Sequence, residues 1–219
     1  LSTVMLPRCS HLLGEGKIDE FNAIIRKSYY LMMFSAIPVT VGIILLARPV
    51  MICFCGTDYV EAIPVLVYTA PTVVFIAMTQ VIGIQILYPY GKENLVIYST
   101  LVAAVLNVVL NILLIPSLAA TGAAISTLIS EFSVLLVQVK LGKEYIPFRF
   151  VDRRIGLYVS ATTLMAVVVL MCLLIENVWL QLFVASSVGG TIYLTSLYIK
   201  RDPVLQDVVG MFSKRLLNR

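Results

Sequence analysis

Asn107 and Asn111 lie one helical turn apart inside NVVLNILLIPSLAATGAAISTLISE, a lipid-grade stretch that closes on Glu131. At i and i+4 the two carboxamides share one helix face. They could line a water-filled path, hydrogen-bond a sugar, or bond a neighbouring helix, a contact averaging about 0.6 kcal/mol in membrane proteins. Glu131 is the one acidic residue placed well inside an apolar run. Ionised at the centre of a bilayer it would cost about 2.5–3.5 kcal/mol, so a partner or a proton must offset it. A proton or cation relay, a polar anchor in a transport cavity and a structural carboxyl all meet that need. Gln80 and Gln85, with Gln138 near the end of its run, are weaker candidates of the same kind.

Other polar or special residues do more for shape than for chemistry. Gly122, Ser126 and Ser130 recur every fourth position, with Ala119 and Ala123 nearby. Such a stripe of small residues lets another helix pack closely. Proline lacks the amide proton a helix uses and clashes with the preceding turn, so Pro116 is expected to end a helix, and Pro38, Pro64 and Pro71 to permit bends. Pro38, Pro71 and Pro116 are the candidate hinges of a gate.

The elements that must hold these residues follow from composition. Of 219 residues, 60% are hydrophobic and 13% charged, against roughly 45–50% and about 25% in soluble domains. Crossing a hydrocarbon core takes about 20 helical residues. Six apolar runs reach that length: 29–47, 62–88, 95–115, 118–139, 155–175 and 178–199. They are continuously apolar rather than alternating over about 10 residues, which disfavours a barrel; without water to satisfy their backbone they should be helical. The expected fold is all-α, a polytopic membrane bundle of six transmembrane helices.

If the spans alternate in direction, every Lys and Arg except Arg48 falls on one face. Short loops rich in these residues stay in the cytoplasm, so both ends of the segment are predicted cytoplasmic. The net charge of +4 reflects this bias and gives no reason to invoke nucleic acid. Residues 1–28 read as the last turn of an earlier helix, ending at Pro7 and Arg8, followed by an amphipathic cytoplasmic connection through Ile18, Phe21, Ile24 and Ile25. Residues 29–139 hold four spans, 140–199 a cytoplasmic loop and two accessory spans, and 200–219 a basic tail. In that tail Val204, Val208, Met211 and Phe212 are expected to face lipid while Lys214, Arg215 and Arg219 meet anionic headgroups.

Several functions are excluded by absence of their motifs. No Gly-Lys pair has the flanking glycine and Ser or Thr of a phosphate-binding loop. One histidine, His11, leaves no Ser/His/Asp set, so no catalytic residue is assigned. Cys9 and Cys172 stand alone and Cys53 and Cys55 are one residue apart with no histidine near, so neither a metal nor a cofactor is expected. The chain reads as a transporter, not an enzyme.

The order of residues resembles the carboxyl-terminal half of the Wzx-like oligosaccharide flippases, in the multidrug/oligosaccharidyl-lipid/polysaccharide exporter superfamily. MLPRCSHLLGEGKIDEF carries Pro7, Arg8 and Ser10; IPVTVGIILLARPVMICFCGTDYVEA carries Pro38, Gly42, Pro49, Gly56, Tyr59 and Ala62. The most specific block is Asn107, Asn111, Ile115, Pro116, Gly122, Ala123, Ala124, Ser130 and Glu131. One departure is Ala119, where the family usually has glycine. The resemblance implies that the six spans are the last six of a fourteen-helix, two-lobed protein of the bacterial cytoplasmic membrane. It implies alternating-access transfer of an undecaprenyl pyrophosphate-linked repeat unit to the outer leaflet for O-antigen, capsule or exopolysaccharide. Implied partners are the amino-terminal lobe, the bilayer, and polymerase and glycosyltransferase machinery. Two other readings stand beside it: a cation-coupled drug exporter of the same superfamily, which needs an acidic cation site, and a non-transporting membrane subunit whose buried polar residues only join helices.

Overall fold

The structure, a computed structural model, describes residues 2–207, 209 and 210, with side chains from Met5 onward. Val208, Met211, Phe212, Lys214, Arg215 and Arg219 of the expected lipid-facing tail lie outside the described residues. The described chain is helical: α1 (Ser2–Gly14), α2 (Ile18–Leu45), α3 (Ala47–Cys55), α4 (Ile63–Thr69), α5 (Thr72–Thr79), a π-helical segment Gln80–Leu87, α6 (Glu93–Leu141), α7 (Arg153–Cys172) and α8 (Val178–Ile199). Among the described residues no strand occurs. The protein is a multi-pass helical membrane bundle, with helical stretches long and apolar enough to cross a bilayer at Ile18–Leu45, Thr57–Leu87, Glu93–Leu141, Arg153–Cys172 and Val178–Ile199.

These are five stretches where the sequence predicts six spans, and the difference lies in α6. Its 49 residues are interrupted at Ala119, whose φ of 47° and ψ of −129° are not helical. Two approaches show that the chain reverses there. Gln138 Nε2 donates to Ser99 Oγ at 3.2 Å, and a Cβ built on Gly122 would lie 2.5 Å from the carbonyl oxygen of Leu114. In a straight helix with a rise of 1.5 Å per residue, Ser99 and Gln138 would be roughly 58 Å apart. Each pair is also nearly equidistant from Ala119, so α6 is an antiparallel hairpin of two spans. The break lies three residues beyond the expected stop at Pro116. Proline removes one backbone bond, which a helix end tolerates; reversing the chain needs a backbone that leaves the helical region altogether.

Ala119 therefore occupies a positive-φ conformation suited to glycine, at the one position where the expected glycine is missing. A side chain held in so sparsely populated a region costs about 1–3 kcal/mol, and glycine repays part of that gain through its larger unfolded-state entropy. Ala119→Gly is expected to stabilise the full-length protein by about 1 kcal/mol, read as a higher unfolding midpoint in detergent. An unchanged or lower midpoint would show that the turn carries no strain.

The chain divides into two compact units, residues 1–36 with 61–149, and residues 37–60 with 150–219. The boundary at Ala36 and Ile37 adjoins Pro38 within α2. In the first unit α1 packs on the π segment, and α4, α5 and the π segment pack on α6. The connection expected as a separate surface helix is instead the first turns of α2. Asp19 and Glu20 occupy its first turn, where they complement the helix dipole, and Phe21 and Ile25, one turn apart, are fully buried. Phe21 meets Tyr90 edge-on with centroids 5.6 Å apart, and Tyr29 stacks on Phe148 at 4.2 Å. Tyr90 touches Tyr145 at 4.9 Å, with Lys92 Nζ over the Tyr145 ring. These rings gather the start of α2, the turn before α6 and the loop after it at one end of the unit. α1 likewise continues through Pro7 to Gly14, and the chain turns there by a Lys17 N–H bond of 2.9 Å to the Leu12 carbonyl.

The second unit is built on α7 and α8. A Cβ at Gly189 would lie 2.8 Å from Val169 Cγ2, so the two helices meet closely there. Asp152 caps α7 by accepting from the amides of Arg154 and Ile155, and Asn177 caps α8 by accepting from Leu180. Asp202, almost fully buried, caps the residues after α8 through Val204 and Leu205 and accepts from the Tyr158 hydroxyl at 3.3 Å. Val204, expected at the lipid face, is buried by this turn.

Candidate functional site

The first unit carries all the polar candidates, on the α6 hairpin and the π segment packed against it. Gly83 lies within the π segment, and a Cβ there would sit 3.4 Å from both terminal atoms of Gln138, so the Gln138 side chain packs close to that backbone. The Tyr88 amide bonds back to the Gly83 carbonyl at 3.0 Å, one residue further than in an α-helix. Pro71 stands at the break between α4 and α5 and Pro64 in the first turn of α4, so the span expected over residues 62–88 is a series of short helical pieces within Thr57–Leu87. Irregular pieces of this kind at membrane depth are tolerated where protein surrounds them, and π segments recur at functional sites. Gln85 is fully buried in this segment; Gln80, at its start, is half-buried.

On the hairpin, Asn111 Nδ2 donates to Asn107 Oδ1 at 2.9 Å. Asn111 Oδ1 is buried without a hydrogen-bond partner among the described residues. The register set by Ser99 with Gln138 and by Leu114 with Gly122 puts Asn107 level with Ser130 and Asn111 level with Ser126. Ser126 and Ser130 are buried, and their hydroxyls donate to the carbonyls of Gly122 and Ser126 at 2.8 and 2.7 Å. Their protons are thus spent on their own helix, leaving only oxygen lone pairs on the seam. The other faces of the first arm, through Leu101, Val105, Val108 and Ile112, are apolar and exposed.

The structure brings Asn107 and Asn111 together and sets Gly122, Ser126 and Ser130 along the second arm. Glu131 stands one residue beyond Ser130, half-buried, and forms no ion pair or hydrogen bond among the described residues. Glu131 makes no polar contact with the asparagines among the described residues. Sequence reasoning ranked Gln138 low and missed Ser99 and Gly83 as its neighbours. The missing signal is long-range: only the hairpin register places residue 99 beside residue 138. Cys9 is fully buried, and burial pushes its thiol above the usual cysteine range despite nearby Arg8; it acts as a small apolar residue.

Comparison with known proteins places the chain. The sequence profile of the family described as lipid II flippase MurJ matches residues 1–193. The probable low-salt glycan biosynthesis flippase Agl15 of Haloferax volcanii is 24% identical over 197 residues, covering 89% of this chain and 42% of that protein. An uncharacterized membrane protein of Methanocaldococcus jannaschii is 23% identical over 216 residues, covering 98% and 42%. The lipid II flippase MurJ of Bacillus subtilis is 23% identical over 223 residues, covering 94% and 40%. The chain spans less than half the length of these relatives. The expected resemblance to flippases is met at the level of the wider superfamily; the family matched is that of MurJ rather than the Wzx-like branch.

Proposed function

This chain belongs to the family of the lipid II flippase MurJ, and from that membership we propose that it serves a transporter that moves a lipid-linked glycan between the leaflets of a cytoplasmic membrane. The observation that carries the reading is the family match over residues 1–193, which contains every polar candidate of the hairpin and the π segment. The relative from Haloferax volcanii, named as a glycan biosynthesis flippase, supports the same cargo class. Because the chain spans less than half of these relatives, the activity belongs to the whole protein, with this segment as part of one lobe.

In this reading the cargo is a saccharide on a polyprenyl pyrophosphate, and the finer alternatives are lipid II and an undecaprenyl pyrophosphate-linked oligosaccharide repeat unit. Asn107, Asn111, Glu131, Gln80 and Gln85 lie along the polar path; carboxamides suit sugar hydroxyls because each both donates and accepts. In this reading the lobe flexes at Pro38, Pro71 and Pro116 between inward and outward states, while Gly122, Ser126 and Ser130 keep the hairpin closed. The lysine and arginine bias puts the end of the first unit bearing Lys92 and Lys143 in the cytoplasm.

Depleting the full-length gene tests this. Lipid-linked saccharide should accumulate in the inner leaflet: lipid II with arrested wall synthesis for one cargo, repeat units with loss of surface polysaccharide for the other. Normal wall and polysaccharide with raised sensitivity to cationic dyes would instead show a drug exporter.

A further inference from the structure

A second polar feature lies in the other unit and takes no part in the hairpin. A cavity of about 290 Å³ opens where α2 ends at Leu45, α7 has just ended and α8 begins at Val178. Its walls are apolar, through Leu45, Ile52 and Val178, but its rim carries Arg48 and Glu176. The two are not within ion-pair distance of each other, and neither has a hydrogen-bond or ionic partner among the described residues. Two opposite charges that face one cavity and leave each other unpaired are suited to a ligand carrying both signs. Gln181, also in the lining, is held by its Nε2 bond of 2.7 Å to the Leu173 carbonyl, so the α7–α8 turn that presents Glu176 is braced.

Depth identifies the source of such a ligand. Three apolar helices of this unit end or begin at the cavity, and the exposed indole of Trp179 follows Val178 directly; tryptophan marks the level of lipid headgroups. A cavity at the lower limit of the roughly 300–1,000 Å³ typical of small-molecule sites holds a headgroup but not an oligosaccharide. We propose that this cavity binds the headgroup of a zwitterionic phospholipid bearing a primary amine, with Arg48 on the phosphate, Glu176 on the ammonium, and the apolar wall against the glycerol end of the acyl chains. Guanidinium pairs with phosphate through a planar fork, and a carboxylate accepts from a primary ammonium.

Native mass spectrometry of the full-length protein, loaded with phosphatidylethanolamine or phosphatidylglycerol, tests the assignment, and differences between wild type and variants isolate this cavity from other lipid sites. The wild type should retain phosphatidylethanolamine about tenfold over phosphatidylglycerol. Glu176→Gln should abolish that preference without weakening phosphatidylglycerol. Arg48→Gln should weaken both lipids about tenfold, and Arg48→Lys should restore most of the loss. Equal retention of the two lipids by wild type, or a preference that survives Glu176→Gln, overturns the proposal. Displacement of the lipid by free O-phosphoethanolamine at equal concentration would show a soluble ligand and overturn the lipid assignment. Transport of the glycan does not enter the readout, so this result stands apart from the flippase reading.

Discussion

Gly122→Ala is expected to destabilise the full-length protein by about 3 kcal/mol, the upper part of the range for overpacking, and to lower its membrane-inserted yield several-fold. The new methyl group would sit 2.5 Å from the Leu114 carbonyl oxygen, 2.7 Å from its carbon and 3.0 Å from the Ile115 nitrogen. All three are backbone atoms of the facing arm and cannot rotate away, so the hairpin must open near its turn. Opening it there also loosens the register that holds Asn107 and Asn111 against the second arm. Gly83→Ala meets side-chain atoms alone, the end of Gln138 at 3.4 Å and Val96 Cγ2 at 3.6 Å, and should cost far less. Gly42→Ala, whose Cβ would meet no described atom within 4 Å beyond its own stretch of helix, should be neutral or stabilising because alanine is the better helix former. Thermal unfolding of the three purified variants in detergent orders them; a Gly122→Ala midpoint equal to that of Gly42→Ala would falsify the close approach of the arms.

The sequence stripe that suggested close packing thus has its partner in the same hairpin. Long apolar runs made the spans legible, because lipid imposes a length and a composition that local reading detects; Val178–Ile199 matches its predicted bounds at both ends. What escaped depends on groups that are distant in sequence. Gln138 lies against the π segment at Gly83, 55 residues earlier in the chain. In the continuation of α2 back to Ile18, Tyr90 and Phe148 cover Phe21 and Tyr29, so Phe21 and Ile25 of a stripe read as membrane-facing are protein-facing while Ile18 stays exposed. Asp202, within the segment expected as a basic tail, is buried where it caps a turn and accepts from the Tyr158 hydroxyl. Ala119 is the converse case. Its unusual backbone could be foreseen from the glycine expected at that position, though the chain supplies alanine.

From the proposed transport of a lipid-linked glycan, Asn111→Leu and the double variant with Asn107→Leu are expected to leave the abundance of the full-length protein unchanged while lowering glycan transfer tenfold or more, about 1.4 kcal/mol of transition-state stabilisation. The stability half follows from the bonds on view. The asparagines bond each other within one helix, an interaction worth only a few tenths of a kcal/mol at this spacing, and Asn111 Oδ1 is buried without a partner among the described residues. Replacing both ends of a hydrogen bond by apolar groups of similar shape is nearly neutral, so purely structural asparagines would be replaceable at little cost in either readout. A group that must strip water from sugar hydroxyls and replace those bonds is not replaceable by leucine. Single substitutions should also behave non-additively, since Asn107→Leu removes the acceptor that orients the Asn111 amide. Glu131→Gln in the same assay separates shape from charge: it keeps a polar side chain of the same length, so lost transfer with normal abundance identifies ionisation or proton exchange as the function of that carboxyl. Transfer at wild-type rates in the double leucine variant would remove the asparagines from the path and leave the hairpin as scaffold alone.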